Sequence, residues 1–150
     1  MEKLIASLKV ALGNTFIMYF KAHSYHWNVE GMFFTQFHDF FGEIYEDVYG
    51  AVDPLAEELR KLDAYAPISV EEIHSYKTIA EDDTKPITAG DMVANLLVAN
   101  TEVLQCLIPL FDEATAQKQQ GLANFIADRM DKHKKFEWQL RATIKNTGLN

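Results

Sequence analysis

Cysteine is almost missing: Cys106 is the one thiol in 150 residues. That excludes an intramolecular disulfide and any multi-cysteine zinc site, and it fits a reducing cytoplasm. Glycine (7) and proline (4) are scarce, so the chain is neither collagen-like nor a flexible linker. Positive charge is short as well. Fourteen Lys and Arg stand against 22 Asp and Glu, for a formal net charge of −8 and a pI near 5.0, which argues against a protein built to grip a phosphate backbone. No apolar run reaches the roughly 18 residues of a membrane span. The opening MEKLIASLKVALGNTFIMYF is interrupted by Lys3, Lys9 and Asn14 and reads as an amphipathic helix rather than a signal peptide. There is no internal repeat and no low-complexity tract. What is present, 48% hydrophobic and 24% charged residues, is the material of a single acidic, cytoplasmic domain over 1–150.

The hydrophobic spacing predicts four long helices. The first covers about 3–28, with Leu4, Leu8, Leu12, Phe16 and Phe20 in a row, and Gly31 supplies the turn after it. The second covers about 34–62, with Phe37, Phe41, Ile44, Val48, Val52, Leu55, Leu59 and Leu62 at three- and four-residue intervals. Gly42, Gly50 and Pro54 lie inside it, and Pro54 predicts a kink beside Asp53. The third starts after Thr88, an N-cap with an acid three residues on, and Pro109 predicts a bend in it. The fourth begins near Gly121 and ends around Asn146, with Lys132, Lys134, Lys135, Arg141 and Lys145 late in the helix, where cations complement its dipole. Between the second and third helices, residues 63–87 hold a capping box at Ser69 and a short helix over 70–76. Fully stretched, that linker reaches roughly 80 Å, against about 42 Å for a long helix of this bundle. The pattern permits an all-α, ferritin-like four-helix bundle with one long crossover carrying a short extra helix.

Chemistry concentrates in His23-Ser-Tyr-His26-Trp27-Asn28, then His38, then Asp53-Pro-Leu-Ala-Glu57. His26 and His38 are equidistant from the turn near residue 32, so an antiparallel hairpin brings both imidazoles to one height, and imidazole is a good ligand for iron, zinc and copper. Asp53 and Glu57 share a helix face at i, i+4 and repel unless a cation or proton lies between them. Asp53 is fifteen residues from His38, roughly 22 Å along a helix, too far for one ion. If these groups share a metal, they come from two subunits related by a two-fold axis. Taken singly, each has an ordinary reading: a hydrogen-bonded histidine near a helix end, a solvated carboxylate pair beside Arg60 and Lys61, a core Trp27.

Together, His26-Trp27-Asn28-Val-x-Gly31, His38 twelve residues on, and Asp53-x-x-Ala-Glu57 resemble the ferroxidase signature of the Dps family, the DNA-binding proteins from starved cells or miniferritins. The resemblance covers nearly the whole chain, including the short linker helix and a terminal helix with Trp138-Gln-Leu-Arg141. It implies a cytoplasmic homo-dodecamer that oxidises iron(II), preferentially with hydrogen peroxide, and stores ferric mineral, protecting against oxidative damage. It also implies that His26 and His38 come from one subunit, Asp53 and Glu57 from its mate, and that Trp27 passes an electron. Zinc or another divalent ion can substitute for iron. The family usually has Asp or Glu four residues after the second histidine. Here that position is Gly42, so the expected site is one carboxylate short, with water, Glu43, Asp39 or His23 as substitutes. Glu43 points about 100° away from position 42 on a regular helix, and His23 lies one turn before His26. Glu113, Asp128 and Asp131 are candidates for an iron passage. A Lys- or Arg-rich tail is lacking at Met1-Glu2-Lys3 and at Asn146–Asn150, so DNA binding is expected to be weak or absent. The alternatives are a shell or partner-binding bundle whose metal site has degenerated, and a nucleoid-type DNA-binding protein. A conventional di-iron bundle enzyme needs Glu-x-x-His on two core helices, and the one such spacing, Glu71 to His74, falls in the linker.

Overall fold

Leu4, Leu8, Ala11, Thr15, Met18, Ala22 and Tyr25 are buried at alternating intervals of four and three residues, which is the inward stripe of a bundle helix. They form the inner face of α1 (Glu2–Asn28) in a computed structural model that describes residues 1–85 and 87–145. The four-residue row visible in the sequence does not stay on this stripe. Each step of four overshoots a full turn by about 40°, so Phe16 is only partly buried and Phe20 is 47% exposed.

The second predicted helix is two helices, α2 (Phe34–Gly50) and α3 (Val52–Lys61). The chain breaks at Ala51, whose N–H bonds to the carbonyl of Val48 at 3.1 Å. Pro54 therefore falls in the first turn of α3, where a missing N–H costs no intrahelical bond. The break lies three residues before the expected kink, and it explains how the chain tolerates Gly50 and Pro54. A short α4 (Val70–Ser75) precedes α5 (Ala89–Ala116) and α6 (Gln120–Ile144). Asn146, the expected end of the last helix, lies outside the described residues.

Both expected caps form. Thr88 Oγ1 accepts the Asp91 N–H at 3.1 Å and Ser69 Oγ the Glu72 N–H at 3.0 Å, while the Glu72 carboxylate takes the N–H of Ile68, one residue before the cap. Helix α5 runs unbroken through Pro109. It ends on Lys118 in the left-handed region rather than on a glycine, with Gln119 N–H bonded to Ala114 O and Lys118 N–H to Thr115 O. Gly121 lies inside the first turn of α6.

Helices α1, α2–α3, α5 and α6 form a four-helix bundle, with no strand among the described residues. Helix α5 is long and apolar enough to cross a membrane by length and composition. Met92, Leu96, Ala99, Val103, Leu107, Leu110 and Ala114 are nonetheless buried along one side of it, as in a core helix.

The crossover is tied to α1 by polar groups that the hydrophobic pattern hides. A Cβ on Gly13 would meet Tyr76 and Lys77 at 2.7–2.8 Å, so only glycine admits the crossover backbone there. Beside it, fully buried Asn14 accepts the N–H groups of Thr78 (2.7 Å) and Ile79 (3.2 Å) and donates to Thr78 Oγ1. Two turns on, Lys21 and the Tyr25 hydroxyl both bind Asp82.

A second buried chain runs between the hairpins. Asn100 Oδ1 accepts from His133 Nδ1 at 2.8 Å, His133 Nε2 faces Arg129 at 3.2 Å, and Arg129 pairs with Asp47 at 2.9 Å. Arg129 has no lone pair to offer, so His133 accepts through Nε2 and is neutral. Burial, with a smaller push from Arg129, takes its pKa down from 6.5 to about 3. Between those values the unfolded chain binds a proton that the native chain does not. Stability from this group is therefore complete above pH 6.5 and is lost as pH falls, by up to about 1.4 kcal/mol per pH unit. His133→Gln should flatten the acid side of a urea-midpoint profile by that slope, and an unchanged profile would contradict the assignment.

Candidate metal centre

The last carbonyls of α1 lack intrahelical partners. His38, five residues into α2, supplies one: its Nδ1 lies 2.6 Å from the carbonyl oxygen of His26. The arrangement is reciprocal, because His26 Nδ1 lies 2.6 Å from the carbonyl oxygen of His38. A carbonyl only accepts, so both Nδ1 atoms carry a hydrogen, and in the neutral form of each ring it is Nε2 that keeps the lone pair. The two rings stack at 3.6 Å between centroids, 20° apart, and Phe34 stacks on the outer face of His38 at 5.0 Å. Both imidazoles are thus held by backbone carbonyls and by stacking, the kind of orientation that a hydrogen-bonded outer shell gives histidines at metal sites. The turn between them depends on Gly31, at φ +120, a conformation that L side chains rarely adopt.

Gly42 lies directly under the His26 ring. A Cβ there would lie 3.2–3.3 Å from His26 Nδ1 and Cε1, so a side chain at this position would press on the His26 ring. Glu43 and Asp39, the neighbouring acids, are exposed. His23 is half-buried, its Nδ1 2.9 Å from the Tyr19 hydroxyl. It stacks flat on Tyr45 (3.8 Å, 5°) and against Trp27 (4.0 Å), and its centroid is 6.1 Å from that of His26. Burial, with a smaller contribution from His26, holds its pKa below the ordinary value. Trp27 is 56% exposed rather than a core residue.

Asp53 and Glu57 lie on α3, both exposed and one turn apart. Asp53 is in the first turn, where the helix dipole favours a carboxylate. The structure brings His26 and His38 together and leaves the two acids elsewhere on the same chain. Among the described residues, no three His, Cys, Asp or Glu side chains of one chain converge on a point. Near the histidine pair Trp27, Met32, Phe33 and Phe34 are exposed, alongside the exposed acids Asp39 and Glu43. The aromatic environment of His23 and the polar stripe Asn14–Lys21–Tyr25 went unread in the sequence. The signal for both was spacing of four or seven residues on α1, which keeps side chains on one face.

Residues 5–149 match the family described as the ferritin-like domain. The antigen TpF1 of Treponema pallidum is 32% identical over 130 residues, spanning 86% of this chain and 73% of that protein. Its crystal structure superposes with a TM-score of 0.92, covering 97% and 93% of the two chains. The DNA protection during starvation protein of Brevibacillus brevis is 28% identical over 96% of this chain and 97% of its own. A Dps protein from Vibrio cholerae O1, described as one of the ferritin-like diiron-carboxylate proteins, superposes with a TM-score of 0.90 at 27% identity, covering 96% and 90%.

Proposed function

The chain belongs to the ferritin-like family and, within it, to the Dps miniferritins, and from that premise we propose that it oxidises iron(II) and stores the ferric product in a shell, protecting against oxidative damage. The observation that carries the reading is the stacked pair His26–His38 with both Nε2 lone pairs free. The subunits form a dodecamer in the cytoplasm, with metal sites at the two-fold interfaces. There, His26 and His38 of one subunit face Asp53 and Glu57 of the partner subunit. Two features support the pairing: the roughly 22 Å between His38 and Asp53 along the helix direction, and the uncovered apolar rim of Trp27, Met32, Phe33 and Phe34, a patch of the kind that marks an interface.

Iron(II) is the substrate. Two neutral nitrogens hold it, and the two carboxylates offset its charge and favour the harder ferric ion. Where two iron(II) ions are present, one hydrogen peroxide takes one electron from each and, with two protons, leaves two waters and two iron(III) ions, so that reaction releases no hydroxyl radical. Trp27 passes an electron between site and surroundings. Zinc or another divalent ion binds in place of iron. The net charge of −8 per chain makes DNA binding weak.

Crystals soaked in iron(II) or zinc should show an anomalous peak between the imidazoles of one subunit and the acids of its two-fold neighbour. A second reading, a shell with a degenerated centre, draws on Gly42 and predicts no peak there.

A further inference from the structure

The histidine pair leaves His23 unused, although this ring is held on three sides. The Tyr19 hydroxyl lies 2.9 Å from His23 Nδ1. Tyr45 covers one side of the imidazole and Trp27 leans against it, while Tyr49 packs on Tyr19 at 4.8 Å. Tyr45 reaches His26, with ring centroids 5.2 Å apart. Oxidisable rings therefore run in contact from the histidine pair, through Tyr45 and His23, to Tyr19 and Trp27. A phenol gives up an electron readily only if its proton has somewhere to go, and a hydrogen-bonded imidazole is a positioned base for it. Gly42 supplies the need. A site one carboxylate short holds a second iron weakly, so peroxide cleaved by the first leaves a one-electron oxidant with no iron beside it.

The geometry points to Tyr19 and His23 as a proton-coupled electron donor that absorbs this oxidising equivalent. The source of the oxidant rests on the function proposed above, whereas the donor pair itself does not. An oxidant of the hydroxyl-radical class gains one electron and becomes hydroxide. The Tyr19 O–H bond breaks: its electron crosses the ring stack to the oxidant, and its proton moves to His23 Nδ1. A neutral tyrosyl radical and an imidazolium remain. A later iron(II) returns one electron and becomes iron(III), the His23 proton goes back to the tyrosine oxygen, and the hydroxide takes a proton from solvent. The net change is hydroxyl radical, iron(II) and a proton converted to iron(III) and water.

The test uses iron-free assembled protein in a Trp138→Phe background, with azide radicals from pulse radiolysis oxidising Trp27. The indole radical should convert to a tyrosyl radical, more slowly in heavy water. Tyr19→Phe should abolish that conversion. His23→Phe, which keeps a stacked ring, should slow it about 10²-fold and remove the solvent isotope effect. Tyr65→Phe, at an exposed tyrosine beside Arg60, should leave it unchanged. Conversion at the wild-type rate in either Tyr19→Phe or His23→Phe would overturn the assignment. With no iron present, that failure would leave the proposed iron chemistry standing. Loss of the iron chemistry alone would likewise leave the donor pair intact.

Discussion

His26→Ala is expected to lower the initial rate of iron(II) oxidation by peroxide at least about 10²-fold, with His38→Ala losing as much. Removing an outer-shell partner alone typically costs a metal site about 10- to 100-fold, and each of these changes removes one of the two proposed ligand nitrogens. The two residues also act as a unit. Deleting the His26 ring takes away the surface on which His38 stacks and leaves the carbonyl of His38 without its side-chain donor. Deleting His38 strips the partner from the His26 carbonyl at the end of α1. The double variant should therefore be little worse than either single one. Stopped-flow oxidation under anaerobic conditions with limiting peroxide reads this directly. Rates within about threefold of wild type would remove the histidine pair from the chemistry.

The largest effect on stability is expected at Asn14. Asn14→Leu keeps the side-chain volume but leaves the part-buried N–H of Thr78 and the buried N–H of Ile79 without an acceptor. Each unsatisfied donor costs about 1–3 kcal/mol, so a loss of about 3 kcal/mol is expected in urea unfolding. The loss should be local first. Amide hydrogens of residues 78 and 79 should exchange faster while those of α5 and α6 stay protected, because the crossover opens before the bundle does. A loss below about 1 kcal/mol, with those amides still protected, would mean that Asn14 is not the clamp.

The bundle was legible because its information is periodic. Three- and four-residue spacing marked every long helix, and Thr88 and Ser69 announced their helices by capping chemistry that depends on neighbours in the chain. The break at Ala51 was not legible. Gly50 and Pro54 signalled a disturbance, but whether proline kinks a helix or starts one depends on which carbonyl it faces, and that is settled by packing. The stop at Lys118 was hidden because a lysine forced into the left-handed region looks like any other lysine.

At the proposed metal centre, the equal spacing of His26 and His38 about the turn foretold their meeting. Their reciprocal backbone bonds did not show, since a carbonyl has no letter in a sequence. Gly42 takes away a side chain where the resemblance expects a carboxylate, and the His26 ring lies close over its backbone. Trp27, for which a place in the core is the ordinary reading, is 56% exposed.

Mixed-subunit complementation tests most directly whether a metal centre is shared between two chains. Subunits carrying His26→Ala and subunits carrying Asp53→Ala should each be inactive alone. When dissociated, mixed in equal amounts and reassembled, each mixed dimer should hold one centre with both defects and one with none. Iron(II) oxidation should then recover to about a quarter of wild type, the share expected for random two-fold pairing. A mixture as inactive as its parents would contradict the account, because a centre built within one chain has nothing to gain from its neighbour.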